Sequence, residues 1–196
     1  MRQLLLAAVT MAALSLPLAA QRGGSANRSS PKVGQSIEFT GGASVEIKYR
    51  ALTWAGGQFM ERLKTDRGRE QTNADLKANP TGTLTCSADV TLGGQAVKAG
   101  TYKLYFEVDA QTAFHLVLAN DAGAETKWKL DLAEGDNLNT RLTLTLTAGK
   151  TDKQANVGIA FGKMACSVGL STEVAPAAAP AKKEEAATAP ASTKGK

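Results

Sequence analysis

One histidine and two cysteines are all the imidazole and thiol that this chain of 196 residues holds. A zinc or copper site built on histidine needs a second imidazole or a cluster of thiolates. No metal is therefore expected, and no other cofactor is implied. A Ser–His–acid triad could draw only on His115, and no G-x-S-x-G elbow is present to raise a nucleophile. The phosphate loops G-x-x-x-x-G-K-[ST] and G-x-G-x-x-G are missing as well. His115 itself lies in Phe114-His-Leu-Val-Leu118. Phe114, Leu116 and Leu118 share one face there, so the imidazole falls on the outward face as an ordinary surface group. Acids such as Asp131 and Glu134 sit in polar turns, where solvation is their usual state. A paired-carboxylate hydrolase needs two of them facing one cleft.

Charge of one sign is also lacking. The chain carries 23 Lys+Arg against 18 Asp+Glu, a net of +5, and the basic residues have acidic neighbours throughout. A nucleic-acid footprint gathers Lys and Arg on one face, so no nucleic-acid partner is expected. Long apolar runs are absent after residue 20. The single run, Leu4 to Leu16, follows Met1-Arg2 and ends at Pro17-Leu-Ala-Ala20. A charged start, a short apolar stretch and a small-residue exit have the layout of a secretory signal peptide over 1–20. The competing reading is a transmembrane anchor. The run is shorter than the ~20 apolar residues that a bilayer requires, and Ser15 and Pro17 interrupt it. The expected product is exported, periplasmic or extracellular, begins near Gln21 and has no transmembrane anchor.

Composition then divides the chain. Residues 21–34 are mostly Gly, Ser, Asn, Arg and Pro with a single Val, a flexible lead-in. Residues 173–196 hold nine Ala, three Pro, four Lys and three Glu, with Val174 as the one large aliphatic residue. That tail cannot bury enough apolar surface to offset its ordering entropy, and disorder is expected. Between these ends, over 35–172, proline is almost missing: Pro80 stands alone. The dominant period there is two. Leu142, Leu144 and Leu146 alternate with Thr and Arg; so do Tyr102, Leu104, Phe106 and Val108 with Lys103, Tyr105 and Glu107. Val45, Ile47 and Tyr49 form a third such face, and Trp128, Leu130 and Leu132 a fourth. Half-buried antiparallel strands read this way. Gly41-Gly42 and Gly93-Gly94 mark hairpin turns, the second between a strand over 83–92 and a short arm over 95–98. The pattern predicts an all-β antiparallel sandwich of about eight or nine strands. One helical insertion interrupts it over about 57–78: an amphipathic helix near 57–66, then a weaker helix or loop, covering an open end or edge.

The stretch Asp89-Val-Thr-Leu-Gly-Gly-Gln-Ala-Val-Lys-Ala-Gly-Thr-Tyr-Lys-Leu104 resembles the D-V-x-x-G-G-x-x-x-x-A-G-x-Y-x-L core of an exported bacterial family, domain of unknown function 2911. Ala160-Phe161-Gly162-Lys163 is similar to that family's closing W-G-K segment, with Phe for Trp. With Ile37 to Tyr49 as an opening hairpin, the resemblance covers about residues 37–171. It implies a β-rich exported domain and no reaction. The chain departs from the family where commoner members carry W-R-T-G-A-N-E. The corresponding region here offers Thr72-Asn73-Ala74-Asp75.

Two aromatic residues are candidates for ligand binding. Trp54 lies at a strand exit before the helical insertion, and Tyr105 falls on the outward face of its strand. Exposed on a rim, they could stack on sugars or peptides. The favoured reading of Trp54 is a plug at the join between helix and sandwich, and Trp128 belongs to the core. Cys86 and Cys166 each share an inward face with apolar neighbours, Leu84 and Ala88 for one, Met164 and Val168 for the other. In an oxidising compartment they are disulfide candidates. The alternative is two buried free thiols. The resulting expectation is a non-enzymatic binding or scaffolding module of the cell envelope, with a polysaccharide or protein partner. The alternative is an envelope hydrolase using acids that the sequence does not single out.

Overall fold

The computed structural model describes residues 30–54 and 57–173. The expected signal peptide, nearly all of the tail and the lead-in up to residue 29 lie outside the described residues. Ten strands and two helices follow in the order β1 (Lys32–Glu38), β2 (Ser44–Arg50), α1 (Gly57–Leu63), α2 (Asp66–Ala78), β3 (Gly82–Cys86), β4 (Val90–Leu92), β5 (Gln95–Val97), β6 (Gly100–Val108), β7 (Phe114–Ala119), β8 (Glu125–Lys129), β9 (Ala133–Ala148) and β10 (Gln154–Ser171). One sheet has the strand order β1-β2-β3-β6-β7-β8 and the other β5-β4-β10-β9. All pairings are antiparallel. The fold is the expected all-β sandwich. Two boundaries differ from expectation. β1 begins inside the segment read as lead-in, because Lys32 to Glu38 pairs residue for residue with β2. The strand expected over 83–92 is two strands: β3 belongs to the first sheet and β4 to the second, with Ser87 to Asp89 crossing between them.

The alternation read from sequence becomes one core. Val45, Ile47, Leu84, Leu104, Leu116, Leu118 and Trp128 of the first sheet meet Val90, Leu92, Leu142, Leu144, Val157, Ile159 and Leu170 of the second. Each fully buried aliphatic or aromatic side chain is worth roughly 1.5–3 kcal/mol, so this cluster dominates stability. Trp128 needs a partner for its indole N–H, and donates it to the Leu92 carbonyl at 2.6 Å. Gly93 and Gly94 both have positive φ, +53° and +80°, and join β4 to β5 in the two-residue turn expected. Side-chain amides tie the sheet margins together. Gln35 of β1 accepts from the Leu146 amide at 2.8 Å, and Gln95 of β5 donates to the Lys127 carbonyl at 3.3 Å.

β10 is sharply bent. Its eighteen residues would span about 60 Å if straight. Yet the Thr172 amide, just past its end, donates to the Lys153 carbonyl, just before its start, at 3.0 Å. The strand therefore doubles back. Its pairing with β9 shifts register on both sides of Gly162, whose φ is +62°. Bulges bend strands in this way, and a left-handed residue at the bend favours glycine. Trp54 closes the space a side chain would use: a Cβ on Gly162 would lie 2.7 Å from the indole.

The Gly162→Ala variant should therefore lose stability twice, through a left-handed backbone costing about 1–2 kcal/mol and through the indole clash. A urea melt should show a loss of roughly 3 kcal/mol, or the indole displaced in its fluorescence spectrum. A loss under about 1 kcal/mol with unchanged fluorescence would show that the bend does not require glycine.

Candidate functional site

α1 and α2 stand at the end of the sandwich where β6 gives way to β7. Thr65 caps α2: its hydroxyl accepts from the Gly68 amide at 3.1 Å. Arg69, 9% exposed, pairs with Asp66 and donates to the Leu63 carbonyl at 2.9 Å, locking the two helices at their joint. α2 reaches the sheet through Asn73. Its side-chain amide donates to the Val108 carbonyl at 2.8 Å and accepts from the Val108 amide at 2.9 Å.

Between the helices and the two sheets lies a cavity of about 350 Å³. Its inner wall is apolar: Phe106 of β6, Phe114 of β7, Leu130 and Leu132 after β8, Leu142 of β9, and Ile159, Phe161 and Met164 of β10. The helices supply the mouth, with Gln58, Phe59 and Arg62 from α1 and Thr72, Asp75 and Leu76 from α2. Ligand sites usually fall in the range of about 300–1,000 Å³, mostly apolar with a few placed polar groups that fix orientation. This cavity has that size and that layout.

Trp54 stands behind the mouth rather than on an open rim. Its ring meets Phe161 at 4.8 Å and Phe59 at 6.1 Å between centroids, both edge to face. Phe59 and Phe161 complete the trio at 6.2 Å. Such pairs contribute about 0.5–1.5 kcal/mol each beyond burial. The half-buried Trp54 is thus the plug between helix and sandwich, and it positions two of the cavity's lining rings. Its amide donates to the Thr140 carbonyl at 2.9 Å, fastening the strand exit to β9.

Tyr105 corrects the sequence reading. It does lie on the outward face of β6, but that face is not solvent. Tyr105 is 2% exposed and clusters with Val117 and Ala119 on the side of the sheet that α2 overlies. Its hydroxyl donates to Glu125 at 2.7 Å, and Lys77 of α2 pairs with the same carboxylate oxygen at 2.7 Å. Burial and the neighbouring Glu125 raise the Tyr105 pKa. Lys77 and Tyr105 together hold the Glu125 carboxyl down at about 2. Tyr105 is a structural residue, not a stacking platform. The signal that could have shown this is Val117, which pairs with Tyr105 across the strands and is also apolar and outward.

Acid–base chemistry finds little here. The carboxylates with shifted proton affinity, Asp89 and Glu125, are both shifted downwards, mainly by lysine hydrogen bonds. A general acid near neutral pH needs the opposite shift. Among the described residues no group of three or more His, Cys, Asp and Glu side chains could hold a metal ion. His115 lies 4.0 Å from Asp109 on the outer face, paired across strands with Glu107 and Lys129.

The cysteines also depart from the disulfide reading: both are free, Cys86 buried and Cys166 half-buried. Cys86 sits on β3, in the middle of the first sheet. Cys166 adjoins Trp128 and Asp131, at the sheet's β8 margin. β6 and β7 lie between, so the two are offset by three strand spacings, roughly 14 Å. A disulfide needs Cα atoms within about 7 Å. Burial pushes the Cys86 thiol up to about 11, and burial together with the Asp131 charge raises that of Cys166.

A thiol reagent at pH 8 should label Cys166 slowly and Cys86 only after unfolding, with two thiols titrated per unfolded chain. A chain purified without reductant that shows no thiol on unfolding would restore the disulfide.

A family model described as "Protein of unknown function (DUF2911)" matches residues 30–168. That span takes in every strand and both helices apart from the last residues of β10. Neither the curated proteins nor the solved structures yield a match.

Proposed function

This chain belongs to the DUF2911 family, and from the cavity at the end of its sandwich we propose that it is a binding module for a small apolar ligand rather than an enzyme. The observation that carries this reading is the composition of the cavity wall. Eight side chains of the inner wall are Phe, Leu, Ile or Met, drawn from both sheets around about 350 Å³. Such a wall rewards burial of hydrocarbon at ~0.8 kcal/mol per CH₂ and offers a sugar ring no hydrogen bonds. The apolar wall favours this over a polysaccharide partner stacked on Trp54 and Tyr105, since one of those rings is buried and the other is a plug. Apart from Thr53, on the segment between β2 and α1, the polar groups of the lining lie on the two helices, and a small number of placed polar groups is what orients a ligand in an otherwise apolar site.

The binding reading is tested with uncharged ligands. An apolar fluorophore such as 1-N-phenylnaphthylamine should bind one per chain and be displaced by straight-chain alcohols. Affinity should rise about fourfold per added methylene until the cavity is filled. The Leu132→Trp variant places an indole in the cavity and should abolish binding while the protein stays folded. Displacement independent of chain length, or full binding by the Leu132→Trp variant, would sink the reading.

Localisation is part of the proposal. Met1 to Ala20 has the signal-peptide layout, and no helix among the described residues is long and apolar enough to cross a membrane. The ligand is then met in the envelope or outside the cell. Mass spectrometry of the native protein should find an N-terminus near Gln21. Recovery of the intact Met1 form from cytoplasm would overturn this part.

A further inference from the structure

We propose that the cavity takes a single-chain zwitterionic amphiphile, its tail between the sheets and its two head-group charges on Arg62 and Asp75; this rests on the apolar-ligand reading above. The argument comes from the charges at the mouth. α1 and α2 are densely charged, yet much of that charge is cancelled within the fold. Glu61 pairs with Lys64, Asp66 with Arg69, and Lys77 with Glu125. Arg62 and Asp75 are exposed, line the cavity, and form no ion pair among the described residues. They are the two charged side chains of the lining, one of each sign, on the two facing helices.

Each simpler head group meets one of them badly. A carboxylate head gains the Arg62 guanidinium but faces the Asp75 carboxylate. An ammonium head has the reverse problem. A head carrying an anion and a cation satisfies both, and Gln58, with a donor and an acceptor at the same mouth, matches the polar atoms between them. The inner wall holds no polar side chain that would draw the head inward, so the amphiphile enters tail first. The same zwitterionic chemistry occurs on a free lysophospholipid and on a bilayer surface. An enclosed tail site fits the free molecule.

The test holds the tail constant. Dodecylphosphocholine, laurate, dodecyltrimethylammonium and dodecyl maltoside compete for the bound fluorophore below their micelle concentrations. The zwitterion should bind tightest, by about 1.5-fold to fivefold over either singly charged head, the range expected for exposed ion pairs. The Arg62→Gln variant should lose the preference of zwitterion over cation, and the Asp75→Asn variant that of zwitterion over anion. Unchanged circular-dichroism spectra and urea midpoints of both variants report an intact fold, and each preference is read as a ratio of head groups within one variant. Equal binding of all four heads, or preferences unchanged in both variants, would overturn the head-group assignment while leaving the apolar cavity standing. Loss of fluorophore and alcohol binding in the native protein would instead remove the reading on which it rests. Phosphatidylcholine vesicles should leave the protein in the supernatant; pelleting with them would assign the recognition to a bilayer surface and overturn the free amphiphile.

Discussion

The reversal of β10 at Gly162 is the constraint on which the site depends. A straight strand of that length would run off the end of the sandwich. Because the chain turns back at a residue with φ +62°, its first half can pair with β9 while its end reaches β4. Phe161 and Met164, on either side of the bend, are brought into the cavity wall. The bend is held from outside as well. The Asn139 side chain donates to the Gly162 carbonyl at 3.2 Å, and Trp54 lies against the bare Cα. Trp54 then meets Phe59, so the helix at the mouth is referenced to the bend through stacked rings.

α2 shows a different kind of attachment. It buries Gly68, Arg69 and Thr72 and offers no apolar stripe to the sheet. Polar contacts fix it instead: Asn73 brackets the Val108 backbone, and Lys77 reaches Glu125. Each hydrogen bond contributes only ~0.5–1.5 kcal/mol net, and leaving its buried partner unpaired costs more. Such an arrangement specifies position more than it adds stability. It also sets where Asp75 stands at the cavity lining.

Periodicity made the sandwich legible, and its limits explain what was not. Leu142, Leu144 and Leu146 alternate on one face and do face the core. The glycine pair at 93–94 is the hairpin it resembled. Alternation says which residues share a face but not what covers the opposite one, so Tyr105 read as exposed. It also cannot show a strand leaving one sheet for another. Ser87 to Asp89 keeps the polar spacing of a strand while the chain crosses between layers. The inward facing of both cysteines was legible; their lateral offset was not, because strand order within a sheet leaves no local signature. The cavity was the least visible feature. Phe106, Phe114, Leu132 and Ile159 come from separate segments, and each reads as core. Only their failure to meet at one end of the sandwich makes a site.

That failure has an energetic meaning. A sealed hole of about 350 Å³ at ~24 cal/mol per Å³ would cost about 8 kcal/mol. That is comparable with the whole stability of a domain, ~5–15 kcal/mol. The open mouth between α1 and α2 reduces the penalty, since solvent can enter. Water against Phe106, Phe114 and Ile159 is still worse off than water in bulk. On the proposed reading, the interior would recover free energy if hydrocarbon replaced solvent there, and a bound apolar ligand would stabilise the fold by an amount set by its concentration over its affinity. The bend at Gly162 and the polar attachment of α2 act on the same end of the fold: one brings Phe161 and Met164 into the cavity wall, and the other sets Thr72 and Asp75 beside it.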